Sequence, residues 1–414
     1  MLFFVFLFII FSSHYVTGQF GSYKQDFGYV TVRDGAHMFY WLYYTTAPVD
    51  HFTKRPLMVW LQERNTTWIK NFNVLFVDNP VGTGYSYVDD LNLLTTTNDE
   101  IAVDFVNLMR GFYKKNKKFE GVPLYICGQS YGGKMAVDIA IKLVEAEKEG
   151  SIRSNLRGFG MGNSWISPVD STNSWGPILL AAGLVGPGGY DSIMTAAKKA
   201  EDAFNEGLYV NSTTYWADTQ REVFRMVYNV NFYNIFEKTR TSASNRISQY
   251  ERLSDMVFYD KMPSPTSRQE ILDLNILMNT RVKEALNIPN NVKWGSQSDP
   301  VFNALMGDFM KPVTKGIEKL LNETDLIITK YNGNSDLICA TPGQIKWVER
   351  LQWDGAEGFK KTPRHPVWVD NNLEGYYKSY GNFRFFWVQR SGHSVPEMNP
   401  AATSAFLRDM TSFG

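Results

Sequence analysis

Residues 128–133, GQSYGG, fit the G-x-S-x-G pattern of a nucleophile elbow. The apolar run before them, residues 122–127, indicates a buried strand, and residues 134–148 have the apolar spacing of a helix. A strand, a sharp turn and a helix form the context that the pattern requires, because the turn lifts the serine hydroxyl off the sheet. We therefore interpret Ser130 as a candidate nucleophile. The alternative is an accidental Gly-Ser turn, since the pattern is short.

A serine hydroxyl needs a base to take its proton and an acid to orient that base. In hydrolases with this elbow, the acid and then the histidine follow the serine along the chain. Of the five histidines, only His365 and His393 follow Ser130. His365 lies in a proline-bracketed stretch that we expect at the surface, whereas His393 follows an aromatic strand, residues 383–388. We therefore favour His393, because loops at strand ends commonly present catalytic groups.

The candidate acid is Asp336. It ends a turn-rich segment, residues 331–336, which follows an apolar stretch, residues 326–329, that is typical of a strand. An aspartate in such a segment is also common as an Asx-turn residue. Without the serine and the histidine, that second interpretation would be preferred.

Seven segments in one order along the chain resemble the serine carboxypeptidases of the α/β-hydrolase fold, and most closely their retinoid-inducible branch. The segments are 27–33, 56–62, 77–87, the elbow, 162–168, 331–336 and 392–396. Such an ordered set is far more specific than the elbow alone. The resemblance implies Ser130 as nucleophile, Asp336 as the residue that orients the base, and His393 as the base.

The fold that the resemblance implies is a mixed, mostly parallel sheet with helices on both faces and an inserted helical cap. We expect residues 19–164 and 300–414 to form the core. Residues 165–299 are expected to form the cap, because strand patterns fade there and helical patterns replace them. Residues 27–32 and 38–44 predict an antiparallel hairpin, joined by an Asp-Gly turn.

The first 18 residues predict a signal peptide, because a short apolar run precedes small residues. The usual positive start is missing, and the alternative is a membrane anchor. Three sequons, at Asn65, Asn211 and Asn322, agree with a secretory route. We therefore expect a secreted or lysosomal glycoprotein with no stable membrane insertion once the signal is cleaved.

The composition narrows the range of partners. The 42 basic and 42 acidic residues balance, and the absence of a basic tract argues against a nucleic-acid partner. Only two cysteines occur, Cys127 and Cys339; we expect no disulfide, with Cys127 in the core and Cys339 lining the site. No cofactor or metal is expected. The resemblance implies peptide or protein C-termini as substrates, and the sequence does not indicate an oligomeric state.

The chain departs from the family after the strand predicted over residues 56–62. There the family has a Gly-Gly-Pro-Gly loop that supplies one of two oxyanion N–H groups, and the other, here Tyr131, follows the nucleophile. In this chain the loop and its helix are absent, and only residues 63–72, ten residues, precede the next strand. A parallel crossover needs about a dozen residues or more. We expect a truncated crossover between strands 3 and 4, and the chain would then be an exon-skipped product, the result of a faulty gene prediction or a real inactive paralogue.

A second departure is Gln129. The family usually has a glutamate there, which shares a proton with another glutamate to bind the substrate's C-terminal carboxylate. The amide of Gln129 donates at any pH, so we expect weaker carboxylate recognition and a blunted acid optimum.

Three functions stay open. They are a carboxypeptidase impaired by the lost loop, an inactive relative that acts as a binding protein, and an acyltransferase in which an alcohol intercepts the acyl-enzyme.

Overall fold

The computed structural model describes residues 21–61, 68–228, 230–237, 274–295 and 298–413. The predicted signal peptide, the sequon at Asn65 and the segment directly after Leu61 lie outside these ranges. Within the ranges, no helix combines the length and the apolar character needed to cross a membrane. Asn211 and Asn322 are described and exposed.

Eleven strands of the described chain form one sheet. They are β1 (Gln25–Arg33), β2 (Ala36–Tyr43), β3 (Leu57–Trp60), β4 (Asn73–Val77), β5 (Tyr87–Val88), β6 (Leu124–Gln129), β7 (Leu156–Gly162), β8 (Ile327–Gly333), β9 (His365–Val369), β10 (Asn372–Tyr380) and β11 (Phe383–Val388). Their order is β1-β2-β4-β3-β6-β7-β8-β11-β10-β9, and β5 pairs with β2. The strands from β4 to β11 in this order are parallel, and both edges are antiparallel. The predicted mixed sheet and its N-terminal hairpin are confirmed.

Helices cover both faces of this sheet. They are α1 (Asn98–Lys115), α2 (Tyr131–Lys148), α3 (Pro168–Thr172), α4 (Trp175–Ala181), α5 (Pro187–Asn205), α6 (Tyr209–Met226), α7 (Asp299–Phe309), α8 (Thr314–Glu323), α9 (Thr341–Glu349), α10 (Ala356–Lys361), α11 (Val395–Met398) and α12 (Pro400–Thr411). A π-helix, Met278–Val282, continues as the turn Lys283–Ala285.

The central strands are buried on both sides because successive side chains point to opposite faces. In β3, Leu57 and Val59 join the apolar cluster that holds α1 and α2. Met58 and Trp60 join a second cluster, on the face covered by α12. The uninterrupted apolar runs predicted buried parallel strands. Their alternate side chains pack into the apolar clusters on the two faces of the sheet.

The connection from β3 to β4 is short, as the sequence predicted. The two strands pair in parallel, and the described part of their connection contains one helical turn, Trp68–Lys70, and no α-helix. The Trp68 ring packs edge to face on Trp60, with centroids 4.6 Å apart. Ile69 and Phe72 are buried in the same cluster. The described residues 68–72 of the connection thus cover the apolar end of β3 with a single helical turn.

Helices α3 to α6 lie within the segment predicted as a cap. Trp175 and Trp216 form the centre of their apolar cluster, which also includes Phe309 of α7 and Leu337. These last two residues lie beyond the predicted boundary at residue 299. The division into core and cap therefore stays a prediction. The apolar cluster contains residues from both sides of the predicted boundary.

The edge hairpin of β9 and β10 was not predicted. His365 is exposed, as expected, but it begins a strand. Asp370 and Asn371 turn the chain with φ of 48° and 64°, which is the geometry of a tight hairpin turn. The prolines around His365 obscured the strand, because proline is compatible only with an edge position.

A buried ion pair fixes α2 to α7. Lys134 Nζ lies 2.9 Å from Asp308 Oδ2 and also donates to the Asp308 carbonyl. The two side chains are 1% and 9% exposed. Tyr131 Oη donates to the same carboxylate at 3.2 Å. The carboxylate of Asp308 therefore supports the first turn of the helix after the elbow.

Replacing Asp308 by alanine is expected to lower the free energy of unfolding by about 3 kcal/mol, because the Lys134 ammonium would stay buried without its partner. The matched control is Asp409→Ala, whose partner Arg384 lies in a more exposed pair and whose loss should cost under about 1 kcal/mol. Urea unfolding followed by circular dichroism measures both. Equal losses in the two variants would contradict the role given to the buried pair.

Candidate active site

Ser130 lies in the turn between β6 and α2, with φ of 58° and ψ of −127°. A residue other than glycine is strained in this region. A Cβ atom on Gly128 would collide with the Gly132 carbonyl, and one on Gly133 with Ser164. The glycines of the motif therefore permit the close packing that holds Ser130 in this conformation. The predicted strand, turn and helix are present.

Asp336 and His393 are in direct contact. His393 Nδ1 lies 2.9 Å from Asp336 Oδ2, and the side chains are 5% and 0% exposed. In the neutral imidazole, a proton on Nδ1 that is donated to the carboxylate leaves Nε2 as the acceptor. This is the tautomer that a general base needs.

Asn163 links the serine turn to the aspartate loop. Its Nδ2 donates to Asp336 Oδ2 at 2.7 Å, and its Oδ1 accepts from the Gly333 N–H. Its backbone carbonyl accepts from the Ser130 N–H at 3.1 Å. The residue has φ of 39°, which asparagine tolerates better than most residues. Asn163 lies in one of the family segments, but no role was predicted for it; an asparagine directly after a strand was the available signal.

The candidate residues gather because they follow adjacent strands. Ser130, Asn163, Asp336 and His393 come after β6, β7, β8 and β11, which are neighbours in the sheet and run parallel. Parallel strands end at one edge of the sheet, which is where ligands bind in such folds. No hydrogen bond joins the Ser130 hydroxyl to His393 among the described residues. Such bonds often tighten only when substrate binds.

The segment 230–237 packs on the histidine loop. The His393 N–H donates to the Tyr233 carbonyl at 2.7 Å, and the two rings lie 5.1 Å apart at 64°. Burial, together with the nearby Asp336 carboxylate, raises the pKa of Tyr233 above its usual value. The phenol is therefore neutral, and it shields the imidazole from solvent. The sequence carried no signal for this long-range contact.

Tyr131 and Gln129 flank the serine. Tyr131 is the first residue of α2, and N–H groups in the first turn of a helix point toward its N-terminus, beside Ser130. The Tyr131 ring stacks on Phe309 at 5.9 Å. Gln129 ends β6, is 3% exposed, and its Oε1 accepts no hydrogen bond from the described residues. The oxyanion role of Tyr131 and the substrate role of Gln129 stay predictions.

Cys339 lies beside Asp336 and His393, and one ligand-type atom from each of the three residues lies within 4.8 Å of the others. Burial raises the pKa of the Cys339 thiol well above its usual value, and the Asp336 carboxylate adds to this effect. The thiol is therefore protonated at neutral pH, and it contributes packing rather than a nucleophile. Cys127 is also buried, and the two thiols are not joined.

Comparisons with known proteins agree on one family. The model of the serine carboxypeptidase family matches residues 61–412. The mouse (Mus musculus) retinoid-inducible serine carboxypeptidase is 37% identical over 90% of this chain and 88% of its own length. Serine carboxypeptidase-like 51 of Arabidopsis thaliana is 35% identical over 94% of this chain and 92% of its own length. A prohormone-processing carboxypeptidase of Saccharomyces cerevisiae has the same fold, with a TM-score of 0.77, 18% identity and coverage of 94% and 91% of the two chains.

We expect Asn163→Gly to slow labelling of Ser130 by a fluorophosphonate probe about ten- to a hundredfold. Glycine keeps the positive φ and the backbone contacts, so the change removes only the side-chain amide. That amide supplies the donor to the charged Asp336, a bond worth about 1.5–3 kcal/mol, and the Oδ1 acceptor of the Gly333 N–H. The control is Asn287→Gly, an exposed asparagine with φ of 49°. An unaltered labelling rate in folded Asn163→Gly would show that the amide does not position Asp336.

Proposed function

The chain belongs to the serine carboxypeptidase family, and we propose that it removes C-terminal residues from peptides through an acyl-enzyme intermediate. The contact that carries the proposal is the buried Asp336–His393 hydrogen bond of 2.9 Å. It lies at the sheet edge where Ser130 is held in a strained elbow. An acyl-transfer site needs a nucleophile, a base and a group that orients the base, and these three residues supply them.

In the proposed reaction, the Ser130 hydroxyl attacks the carbonyl carbon of the last peptide bond while His393 Nε2 takes its proton. The imidazolium then gives that proton to the leaving amine, which departs as the C-terminal amino acid. Water repeats the sequence on the acyl-serine and releases the shortened peptide. Asp336 keeps the imidazole in the required tautomer and stabilises its positive form, and the Asn163 amide holds that carboxylate in position.

Stabilisation of the oxyanion is the weak step of this site. The Tyr131 N–H supplies one donor, and the partial positive charge at the start of α2 adds to it. The second donor of the family comes from the glycine loop, which the sequence after Gln62 lacks. Removing one oxyanion donor in another hydrolase costs about a hundred- to a thousandfold in rate. We therefore propose a slow carboxypeptidase rather than an efficient one.

The cap and the route of the protein through the cell are part of the proposal. The contacts of the segment 230–237 with the histidine loop support a cap, residues 165–299, over the site. The exposed sequons at Asn211 and Asn322 support glycosylation and a secretory destination, either outside the cell or in the lysosome. The signal peptide would be residues 1–18.

The first test is hydrolysis of a peptide with a free C-terminus, followed by mass spectrometry of the released amino acid. We expect slow release by the secreted chain and a loss of at least about a thousandfold in Ser130→Ala, because the nucleophile carries most of the rate. Ser404→Ala, an exposed serine on α12, should keep the activity. If the folded chain neither releases amino acids nor labels with a fluorophosphonate, the inactive binding protein becomes the better interpretation.

The second test concerns recognition of the C-terminal carboxylate. We expect wild-type protein to prefer free over amidated peptides weakly, with little dependence on pH, because an amide at position 129 donates in every protonation state. In Gln129→Glu, burial should raise the pKa of the new carboxyl. The preference should then grow in acid, where the carboxyl is protonated and donates, and disappear as the pH rises through that pKa. Gln129→Met, which has no donor, is the matched control, and a preference that ignores all three side chains would contradict the role.

A further inference from the structure

The segment 230–237, which we call the strap, contacts both loops that carry the candidate acid and base. Its residues form no regular helix or strand. The Ile235 N–H donates at 2.9 Å to the carbonyl of the residue before Asp336, and the Phe232 carbonyl accepts at 3.0 Å from the N–H of the residue after it. The strap therefore holds the backbone on both sides of Asp336.

The strap holds the histidine loop as well. The Tyr233 carbonyl accepts from the His393 N–H at 2.7 Å. A Cβ atom on Gly392 would lie 2.1 Å from the same carbonyl oxygen, so this close contact requires a glycine. The side chains of Asp336 and His393 lie 57 positions apart along the chain and meet at 2.9 Å. Because the strap bonds to both loops, it fixes the position of one loop relative to the other.

Asn231 gives the strap its shape. Its Oδ1 accepts from the Tyr233 N–H at 2.8 Å, and its Nδ2 donates to Glu237 Oε2 at 2.6 Å. The first bond closes an Asx turn, which sets the direction of the chain that follows. The second bond joins the two ends of the strap. Asn231 is 2% exposed, so its carboxamide is shielded from water that would compete for these bonds.

Phe232 anchors the strap in the apolar cluster of helices α3 to α6. Its buried ring packs edge to face on Trp175 of α4 and on Phe224 of α6, with centroids 5.0 and 5.1 Å apart. This packing holds the ring but leaves the direction of the next carbonyl, that of Tyr233, to the backbone torsions. The Asx turn at Asn231 fixes those torsions.

We propose that Asn231 is a positioning residue of this site, whose carboxamide folds the strap so that one short segment orients both Asp336 and His393. It bonds to Tyr233 and Glu237, so it acts through the Tyr233 peptide rather than on the reacting atoms. Without it, the two loops are freer to move apart, and a displacement of about 1 Å in a catalytic group can cost about a hundredfold in rate. The effect on geometry stands on the contacts above, and the effect on rate rests on the proposed function.

The decisive measurement is the exchange with water of the Nδ1 proton that His393 donates to Asp336. It is followed by NMR in the secreted chain labelled with ¹⁵N at histidine, and His393→Gln identifies the signal. We expect Asn231→Ala to speed this exchange about tenfold, because it removes two hydrogen bonds that each contribute a factor of about three or more. Asn173→Ala also breaks an asparagine–glutamate hydrogen bond in the predicted cap, and it should leave the exchange unchanged.

A reversed donor and acceptor at the ends of the strap separates its shape from general stability. Asn231→Asp keeps the acceptor for the Tyr233 N–H but sets a second carboxylate against Glu237, so the exchange should again be fast at pH 7. When Glu237→Gln is added, the glutamine amide donates to the new carboxylate and closes the strap. We expect this double variant to restore the slow exchange. The comparison also carries the test if Asn231→Ala does not fold.

Fluorophosphonate labelling of Ser130 tests the catalytic consequence. Well below its melting temperature, Asn231→Ala should label about tenfold more slowly than the wild-type chain, for the same reason as above. The double variant should recover the rate, and Asn173→Ala should keep it. This pattern would support the proposal, because a loss of stability alone does not slow the labelling of a chain that is fully folded.

Four results would overturn the role of Asn231. They are a wild-type chain without the slowly exchanging Nδ1 proton, equal changes in Asn231→Ala and Asn173→Ala, no recovery in the double variant, and faster exchange with an unaltered labelling rate. Unaltered exchange and labelling in Asn231→Ala would also overturn it and leave the hydrolase intact. Faster exchange in Asn231→Ala, in a protein whose wild type does not label at all, would keep the effect on geometry and contradict the proposed hydrolase.

Discussion

The site depends on a backbone turn that is too crowded for side chains at its glycines. Ser130 has a positive φ, and the chain on either side of it packs so closely that Cβ atoms at Gly128 and Gly133 would collide with their neighbours. Strain of this kind persists only where the surrounding structure fixes it. Here the fixing groups are the backbone carbonyls of Gly162 and Asn163, which both accept from the Ser130 N–H. The end of β7 and the residue after it thus hold Ser130 and, through the Asn163 amide, Asp336 as well.

Buried charge is the second cost that this structure carries near the site. Asp336, Lys330 and Lys134 are all essentially removed from solvent. Lys134 has a full ionic partner in Asp308, whereas Lys330 has only neutral acceptors in hydrogen-bond contact. A buried ion pair adds little net stability to a fold. A buried ammonium without an ionic partner lowers the free energy of unfolding. Burial lowers the pKa of Lys330 to about 7. Groups with strongly perturbed pKa values gather at functional sites, and Lys330 lies in β8, the strand that leads to the aspartate loop.

Local sequence predicted those features whose cause is local. The elbow, the strand before Asp336 and the aromatic strand before His393 each follow from apolar spacing and turn residues, and the structure contains all of them. The contacts that complete the site are different. Asn163 meets Asp336 across 173 positions of the chain. Tyr233, which lies in a segment with no strand pattern, meets His393 far along the chain. Lys330 is a charged residue type with apolar neighbours. The rule that apolar residues fill the core does not predict that its side chain is buried. The hairpin β9–β10 was missed because its prolines mark an edge strand and a loop equally well.

The short connection between β3 and β4 bears on two things, the packing of β3 and the chemistry of the site. In the described part of the connection, Trp68, Ile69 and Phe72 cover the apolar end of β3, and Trp60 is buried. Both strands keep their parallel register with their neighbours. Under the proposed function, the cost of the truncation would fall on the oxyanion, because the family's glycine loop supplies a donor that packing cannot replace. We therefore propose a chain that folds and reacts slowly. The buried Asp336–His393 contact would serve proton transfer, so stabilisation of the tetrahedral intermediate would be the slow step.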